Sequence, residues 1–529
     1  MSLWQELADN FYPERADFTT TRNLGAEFAP QLMTSYPLLA RRDLGNQLGV
    51  MLRSGDWFHM ATLDERVEDN EAKRWLEWAT GQQRRAMYDR AAFFSRATKE
   101  GDHDYAGFGQ CVLSAEVNRR GDALLYRCWH LRDVAWVENE EGKIGQVFRK
   151  WKPTARDLIR LFGDRVHADT KSEAEKDPFT EQDCLHMLVE ADLYSGNAKG
   201  KPYWSIYYDC KHDKVLEEVA WWSPHYIIPR WQTVSGSQYA FSPAAIAALP
   251  DGRLIQAMTR TLLEAGEKHA SPPMIAVQEA IRSDVALFAG GITYVDQEYD
   301  ERLGEVLRPL TQDKGGMPLG IEMQADCRRM IAEAFYLNKL SLPTRHPEMT
   351  AYEVGQRIQE YIRNALPIFE PMEMDYNGGI CELTFDLMLR NGAFGPKQQM
   401  PRGLQELLAA GHSAVQFKFK SPLHDVIEQA RGQKFMEAKA MIAEATALDP
   451  NAAHLPDAVV ALRDVLTSIG VPARWVRPEE EVEQRKEAQN AHAEAQLKLQ
   501  VMQQGADVAK TAGEASQLLP GGEAAMVPQ

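Results

Sequence analysis

Residues 230–251 read Arg230-Trp-Gln-Thr-Val-Ser-Gly-Ser-Gln-Tyr-Ala-Phe-Ser-Pro-Ala-Ala-Ile-Ala-Ala-Leu-Pro-Asp251, an aromatic strand and surface turn running straight into a helix. Ser242 is placed to cap that helix and Pro243 occupies its first turn, where a missing N–H costs nothing. Pro272-Pro273 cannot continue it, so the spacing predicts a helix over 243–270. About 27 residues at ~1.5 Å each make a rod of roughly 40 Å. Pro250 falls inside this span and is expected to kink the rod or delay its start. Apolar runs at Met274–Val277, Val285–Phe288 and Ile292–Val295 follow, with Gly290-Gly291 as a turn, and predict a small α/β insertion. A second helix is expected from Gly320 to Asn338. The order is therefore a helix out, a compact insertion and a helix back.

Working outward, the chain of 529 residues exceeds one ordinary core and implies two to four packed units or one elaborate multi-region subunit. Hydrophobic residues at 44% and charged residues at 26% describe a globular, soluble protein. Six cysteines, Cys111, Cys128, Cys184, Cys210, Cys327 and Cys381, lack any Cys-x-x-Cys pair, which points to a reducing compartment. The start, Met1-Ser-Leu-Trp-Gln-Glu-Leu, has no signal-peptide pattern, and no run of about 18 apolar residues occurs, so no membrane association is expected. A net charge of −17 opposes a surface that grips DNA by neutralising phosphates.

The N-terminal third reads as helical, with Leu38, Leu39, Leu44, Leu48, Val50 and Met51 near helical spacing before a Gly55-Asp56-Trp57-Phe58 turn. A single helix is expected over Glu71–Lys99, with Trp75, Trp78, Met87, Phe93 and Phe94 in the core. Strand periodicity then predicts an antiparallel meander of Gln110–Val117, Ala123–His130, Val134–Glu138 and Ile144–Trp151. Thr154 caps a helix with Asp157 in its first turn, and a second sheet segment runs through Tyr203–Asp209, Val215–Trp222 and Tyr226–Trp231. Farther on, Thr350 with Glu353 forms a capping box, a strand is expected at Val415–Phe419, and helices at Leu423–Leu448, Pro456–Ile469 and Glu479–Met502. The fold class is α+β, predominantly helical.

In this order the motifs resemble the portal, or head-to-tail connector, proteins of short-tailed double-stranded DNA phages. The similarity is carried by Phe11-Tyr12-Pro13-Glu14-Arg15-Ala-Asp17-Phe18-Thr19, by Leu48–Phe58, by Tyr239-Ala-Phe-Ser-Pro243 with Ala248–Asp251, by Met349-Thr350-Ala351-Tyr352-Glu353-Val354 and by Ser421-Pro422-Leu423. Each motif is loose, and the ordered set is specific. Phe241-Ser242-Pro243 departs from the Gly-Arg-Ser-Pro type more usual in the family.

The resemblance implies a subunit with a wing over 1–242 and 350–420, stem helices at 243–270 and 320–338, a clip at 271–319, a channel loop at 339–349, a helical crown at 421–504 and an unstructured tail at 505–529. It implies a homododecameric ring at one capsid vertex, assembled in the host cytoplasm. Double-stranded DNA passes through the ring during packaging and ejection. The implied partners are the terminase motor, the major capsid and scaffolding proteins and, later, tail adaptor proteins. Lys339, Arg345 and His346 in the channel loop would lie nearest the DNA. Acidic subunits would repel phosphate from the bore and let DNA slide.

Enzymatic signatures are missing from the sequence. It has no Gly-x-x-x-x-Gly-Lys-[Ser/Thr] loop, no His-Glu-x-x-His and no Gly-x-Ser-x-Gly turn, and Gly107-Phe108-Gly109 precedes a strand instead of opening a helix after one. Cys184-Leu-His186 and Cys210-Lys-His212 offer four metal ligands, but without zinc-knuckle spacing they are read as structural or incidental. No catalytic residue, metal or cofactor is expected. Two alternatives stand beside the portal reading: another ring-forming virion protein, and a soluble enzyme whose site is assembled from distant residues.

Overall fold

The computed structural model describes most of residues 1–270, short strands at 274–276 and 307–309, residues 316–340, most of 372–420 and isolated positions between 438 and 485. It is a mixed helix and strand fold. In chain order the elements that matter are α1 (Ser2–Phe11), α2 (Tyr36–Leu52), β1 (Phe58–Thr62), α3 (Asn70–Met87), α4 (Phe94–Phe108), β2 (Val112–Val117), β3 (Leu124–Trp129), β4 (Val134–Glu138), β5 (Ile144–Trp151), α5 (Ala155–Phe162), α6 (Ala168–Lys176), β6 (Cys184–Glu190), β7 (Tyr203–Asp209), β8 (Lys214–Trp221) and β9 (Tyr226–Ile227). After them come α7 (Leu249–Ala270), β10 (Met274–Ala276), β11 (Leu307–Pro309), α8 (Gly316–Ala334), α9 (Leu337–Leu340), α10 (Gly379–Arg390), α11 (Arg402–Ala409) and β12 (Val415–Phe419).

Three expectations are corrected. The helix over 71–99 is two helices, because Asp89 folds the chain back: its carboxylate accepts the Ala91 N–H at 2.8 Å, an Asx turn, and Phe93 enters the left-handed region at φ 54°. The Ala92 carbonyl is then taken by the Tyr126 N–H of β3 at 2.8 Å. Phe94 is buried while Phe93 and Trp78 are exposed, as is Val50 on α2.

The four-strand meander is divided between two sheets. His130 Nδ1 accepts the Arg132 N–H at 3.0 Å and turns the chain between β3 and β4. Strands β2 and β3 join β9 in the order β3-β2-β9, whereas β4 and β5 begin the five-stranded antiparallel order β4-β5-β6-β7-β8. Strand β6 carried no strong alternation and was not expected. The third correction is β1, read as part of a turn: it pairs antiparallel with β12, Phe58 opposite Phe419.

Elsewhere the local chemistry behaves as the residues dictate. Thr154 Oγ1 accepts the Asp157 N–H at 3.2 Å and caps α5. The N-terminal segment after α1 docks on α4, where the Arg15 guanidinium makes two 3.0 Å bonds to the buried Asp104 carboxylate. Burial pushes the Asp104 carboxyl up to about 6 against the opposing pull of Arg15. The Arg41 guanidinium lies 3.7 Å over the Tyr12 ring, a cation–π contact.

One contact ties these sheets and helices to the segment that enters α7. Gly109 ends α4 with φ 77°, and the Cβ position it lacks would fall 2.5 Å from the Phe241 carbonyl carbon and the Ser242 nitrogen. A backbone neighbour cannot rotate aside as a side chain can. Gly109→Ala is therefore expected to cost more than about 3 kcal/mol, combining left-handed strain of roughly 1–2 kcal/mol with overlap. Gly121→Ala, also at φ 77° but facing open space, carries the strain alone. Denaturant melts of the two variants check this, and equal losses would show that the contact with Phe241 and Ser242 adds nothing.

Candidate functional site

The segment 240–249 is anchored before the long helix begins. The Ala240 N–H donates to Gln110 Oε1 at 2.8 Å. Ser242 Oγ donates to the Gly107 carbonyl at 2.8 Å and accepts the Ala245 N–H at 3.1 Å, so the expected cap is also a bolt to α4. Residues Ala244–Ala248 then form a π-turn that runs into α7 without a break. This accommodates Pro250: in an α-turn its ring would press on the Ile246 carbonyl, and it has no N–H to donate. The widened turn shifts the partners by one, with the Leu249 N–H reaching Ala244.

Helices α7 and α8 pack antiparallel, as the sequence predicted for a helix out and a helix back. Leu262 lies against Gly320, whose absent Cβ would fall 2.7 Å from Leu262 Cδ2, and Gln324 Nε2 donates to Thr259 Oγ1 at 2.7 Å. Ile255 of α7 and Cys327, Ile331 and the following Phe335 from the α8 side are buried. The spacing 320, 324, 327, 331 is the helical face turned to α7. Between the helices β10 and β11 pair antiparallel, Met274 opposite Pro309. The runs 285–288 and 292–295 lie outside the described residues. Helix α8 starts four residues earlier than expected, with Pro318 in its first turn, and is interrupted at Tyr336, where φ is 57°.

The pair is rooted in the N-terminal region. Phe11 fills the space over Gly252 and meets Phe335 with ring centroids 5.5 Å apart. Gln256 binds a neighbouring strap with both ends of its amide: Oε1 accepts the Met33 and Thr34 N–H groups at 2.7 and 3.0 Å, and Nε2 donates to the Thr34 carbonyl at 2.9 Å. A second π-turn, Glu373–Gly378, leads into α10. Asn377 in it accepts from Arg53 at 3.1 Å and donates to the Leu52 carbonyl at 2.9 Å, while Arg53 pairs with the buried Asp102 of α4. Burial raises the Asp102 carboxyl above the usual range although Arg53 opposes it.

Large apolar side chains are uncovered on the flanks of the faces that the two helices turn to each other. Leu254 and Leu263 on α7, and Leu319, Ile321, Met323 and Met330 on α8, are exposed in the single chain. Leu319, Met323 and Met330 share a stripe at i, i+4 and i+11.

Of the predicted loop residues, Lys339 falls in α9, and Arg345 and His346 lie outside the described residues, as do the Thr350–Glu353 capping box, most of 421–504 and the tail. The four candidate ligands Cys184, His186, Cys210 and His212 do not form a cluster: His186 is buried between Tyr226 and Ser205, and His212 bonds to Asp209. Sequence reasoning missed Gln256, Phe11, Gly252, Arg53 and Asp102. Phe11 and Arg53 carried a signal, as parts of motifs; the others acquire meaning from partners distant in sequence, as Asn377 and Leu52 are at 325 positions apart.

Among the described residues are two surface depressions, one of about 570 Å³ lined by Glu138, Asn139 and 236–239 and one of about 320 Å³ against Trp4, Phe108 and Phe241. Neither gathers a nucleophile, a base and an oxyanion donor. No helix among the described residues is long and apolar enough to cross a membrane. The organising feature among the described residues is the antiparallel pair α7 and α8, rooted in the N-terminal region through Phe11 and Gln256. The chain belongs to the family of bacteriophage head to tail connecting proteins, whose model matches residues 1–476. It is 23% identical to a probable portal protein of Bordetella phage BPP-1 over 76% of this chain and 74% of that protein. It is 21% identical to the portal protein of Salmonella phage epsilon15 over 97% of this chain and 92% of that one. The protein is a structural phage connector of the portal type, a component of the virion, and not an enzyme.

The Phe11 contact generates a paired test within α7. Gly252→Ala gains helix propensity, about 1 kcal/mol, but drives a methyl to 2.8 Å from Phe11 Cζ in a buried site. A net loss of about 1–3 kcal/mol is expected. Gly266→Ala on the same helix meets nothing within 4 Å and should be neutral or stabilising. Thermal melts that rank the two the other way would show that Phe11 yields.

Proposed function

We propose that this chain closes into a homododecameric ring at one capsid vertex, with DNA passing along its axis during packaging and ejection. In this reading 243–270, which holds α7, and 320–338, which holds most of α8, are the stem helices, 271–319 the clip, 1–242 and 350–420 the wing, 339–349 the channel loop and 421–504 the crown. The clip offers the docking platform for terminase and then for tail adaptor proteins, while the capsid and scaffolding proteins surround the wing. Assembly takes place in the host cytoplasm.

The observation that carries the reading is the set of uncovered apolar side chains, three of them in a stripe on α8, on two helices that are otherwise firmly rooted. Six large apolar side chains on α7 and α8 face water in the single chain, and a cyclic ring covers such surfaces by heterologous contact, each subunit presenting one face to each neighbour. At about 25 cal/mol per Å² their burial favours association. The net charge of −17 per chain, repeated around a ring, keeps phosphate from adhering to the wall where carboxylates face the bore. Lys339, Arg345 and His346 are then transient contacts on a largely repulsive path.

Met323→Lys combined with Met330→Lys places charges where a neighbour's apolar surface is due. The variant is expected to stay folded, by unchanged circular dichroism, and to sediment as monomers or small oligomers; intact rings would overturn the assignment of this face. Lys339→Ala with Arg345→Ala, tested in phage, should leave ring mass unchanged and lower packaging efficiency or genome retention. Unchanged packaging and retention would remove the loop from the DNA path.

A further inference from the structure

Away from the helix pair, the start of α6 and the hairpin between β7 and β8 bring together His167, Asp169 and His212, with one ligand atom of each lying within 4.8 Å of the other two. The two imidazoles are stacked, centroids 4.4 Å apart and planes 11° from parallel. Behind His212 sits Asp209, fully buried: its Oδ2 is 2.8 Å from His212 Nδ1, and its Oδ1 accepts the Lys211 and His212 N–H groups at 3.0 and 3.3 Å. A carboxylate held in this way keeps the proton on Nδ1 and leaves the Nε2 lone pair of His212 as a donor, the arrangement by which outer carboxylates orient metal-binding histidines. Thr170 Oγ1 stands 3.4 Å from the same Nδ1.

We infer that His167, Asp169 and His212 form a binding site for a late first-row divalent cation of the zinc type, with Asp209 orienting His212. Two imidazoles and one carboxylate are the donor set that suits such an ion, and they leave a fourth position for water. His167 Nδ1 lies 3.6 Å from Asp169 Oδ2, near the separation of about 3.3 Å between ligands in a tetrahedral site with bonds of ~2.0–2.1 Å. His167 Nδ1 now accepts the Asp169 N–H at a long 3.2 Å, a weak cap that an ion would replace. Binding an ion would require the rings to tilt out of their parallel stack so that both lone pairs converge. The neighbouring cations are already engaged, Lys171 with Asp164 at 3.2 Å and Lys211 with Glu173.

The ion would bind α6 to the β7–β8 hairpin, a region whose own apolar cluster is small: Leu158, Phe162, Val166, Cys184 and Leu216. The site is distinct from the helix pair, and its failure would leave the ring assignment untouched.

The test is titration of the untagged, EDTA-washed full-length protein with zinc chloride by calorimetry, repeated with cobalt chloride by visible absorption. One ion per chain is expected, with a rise in melting temperature that EDTA reverses. His167→Gln and His212→Gln should abolish binding, and Asp209→Asn should weaken it about 10- to 100-fold. Circular dichroism of each variant establishes that it is folded, and the cobalt spectrum of the wild type reports the ligands independently of any variant. Absence of binding by the wild type, equal binding by the folded histidine variants, or a thiolate-to-cobalt band from the exposed Cys210 would each overturn the proposal.

Discussion

The backbone of Phe241 and Ser242 lies where a Cβ on Gly109 would stand, and that approach decides where the long helix leaves the core. The chain emerging from α4 and the chain entering α7 are in van der Waals contact, and Ser242 Oγ closes the junction by bonding to the Gly107 carbonyl. Because both partners are backbone, the junction has little freedom to adapt. Elements that pack on α4, including α1, α2 and β3, thereby set the starting position of the helix pair.

Two π-turns bracket the region between that root and the return of the chain to the core. The first, at Ala244–Ala248, lets Pro250 sit in a continuous helix; the second, at Glu373–Gly378, carries Asn377 into contact with Leu52 and Arg53. Arg53 in turn neutralises Asp102, a carboxylate buried on the same helix that ends at Gly109. Removing one member of such a pair strands the other, which is far costlier than never having had the pair. The β1–β12 pairing closes the structure in the same sense, joining residues 58–62 to residues 415–419. The base is therefore assembled from both sides of the projecting unit, and cannot be divided at the point where that unit is inserted.

Features with local causes were legible in the sequence. Ser242 with Pro243, Thr154 with Asp157, and the strands at 134–138, 144–151, 203–209 and 415–419 arise from cap chemistry and side-chain alternation alone. The antiparallel helix pair was legible because two proline- and glycine-bounded helices flank a short insertion. The features that escaped depend on distant partners. Asp89 and Tyr126 break a helix whose periodicity runs on undisturbed, and His130 sends two hairpins into different sheets without altering the alternation of either. Strand β1 exists because β12 pairs with it more than 350 residues later. The apolar stripe on α8 was equally hidden, because only the structure shows which face of the helix leaves Leu319, Met323 and Met330 uncovered. The loop cations came from family resemblance, since no spacing marks them.

If the exposed faces of α7 and α8 are covered by neighbouring copies in a closed ring, the mass of the particle must show it. Mass photometry of the purified protein, with electron micrographs of the same sample, is the most direct measurement. The expected result is a dominant species of twelve 59.7 kDa chains, about 716 kDa, with an open axial bore. A compact monomer near 59.7 kDa at every concentration would contradict the ring.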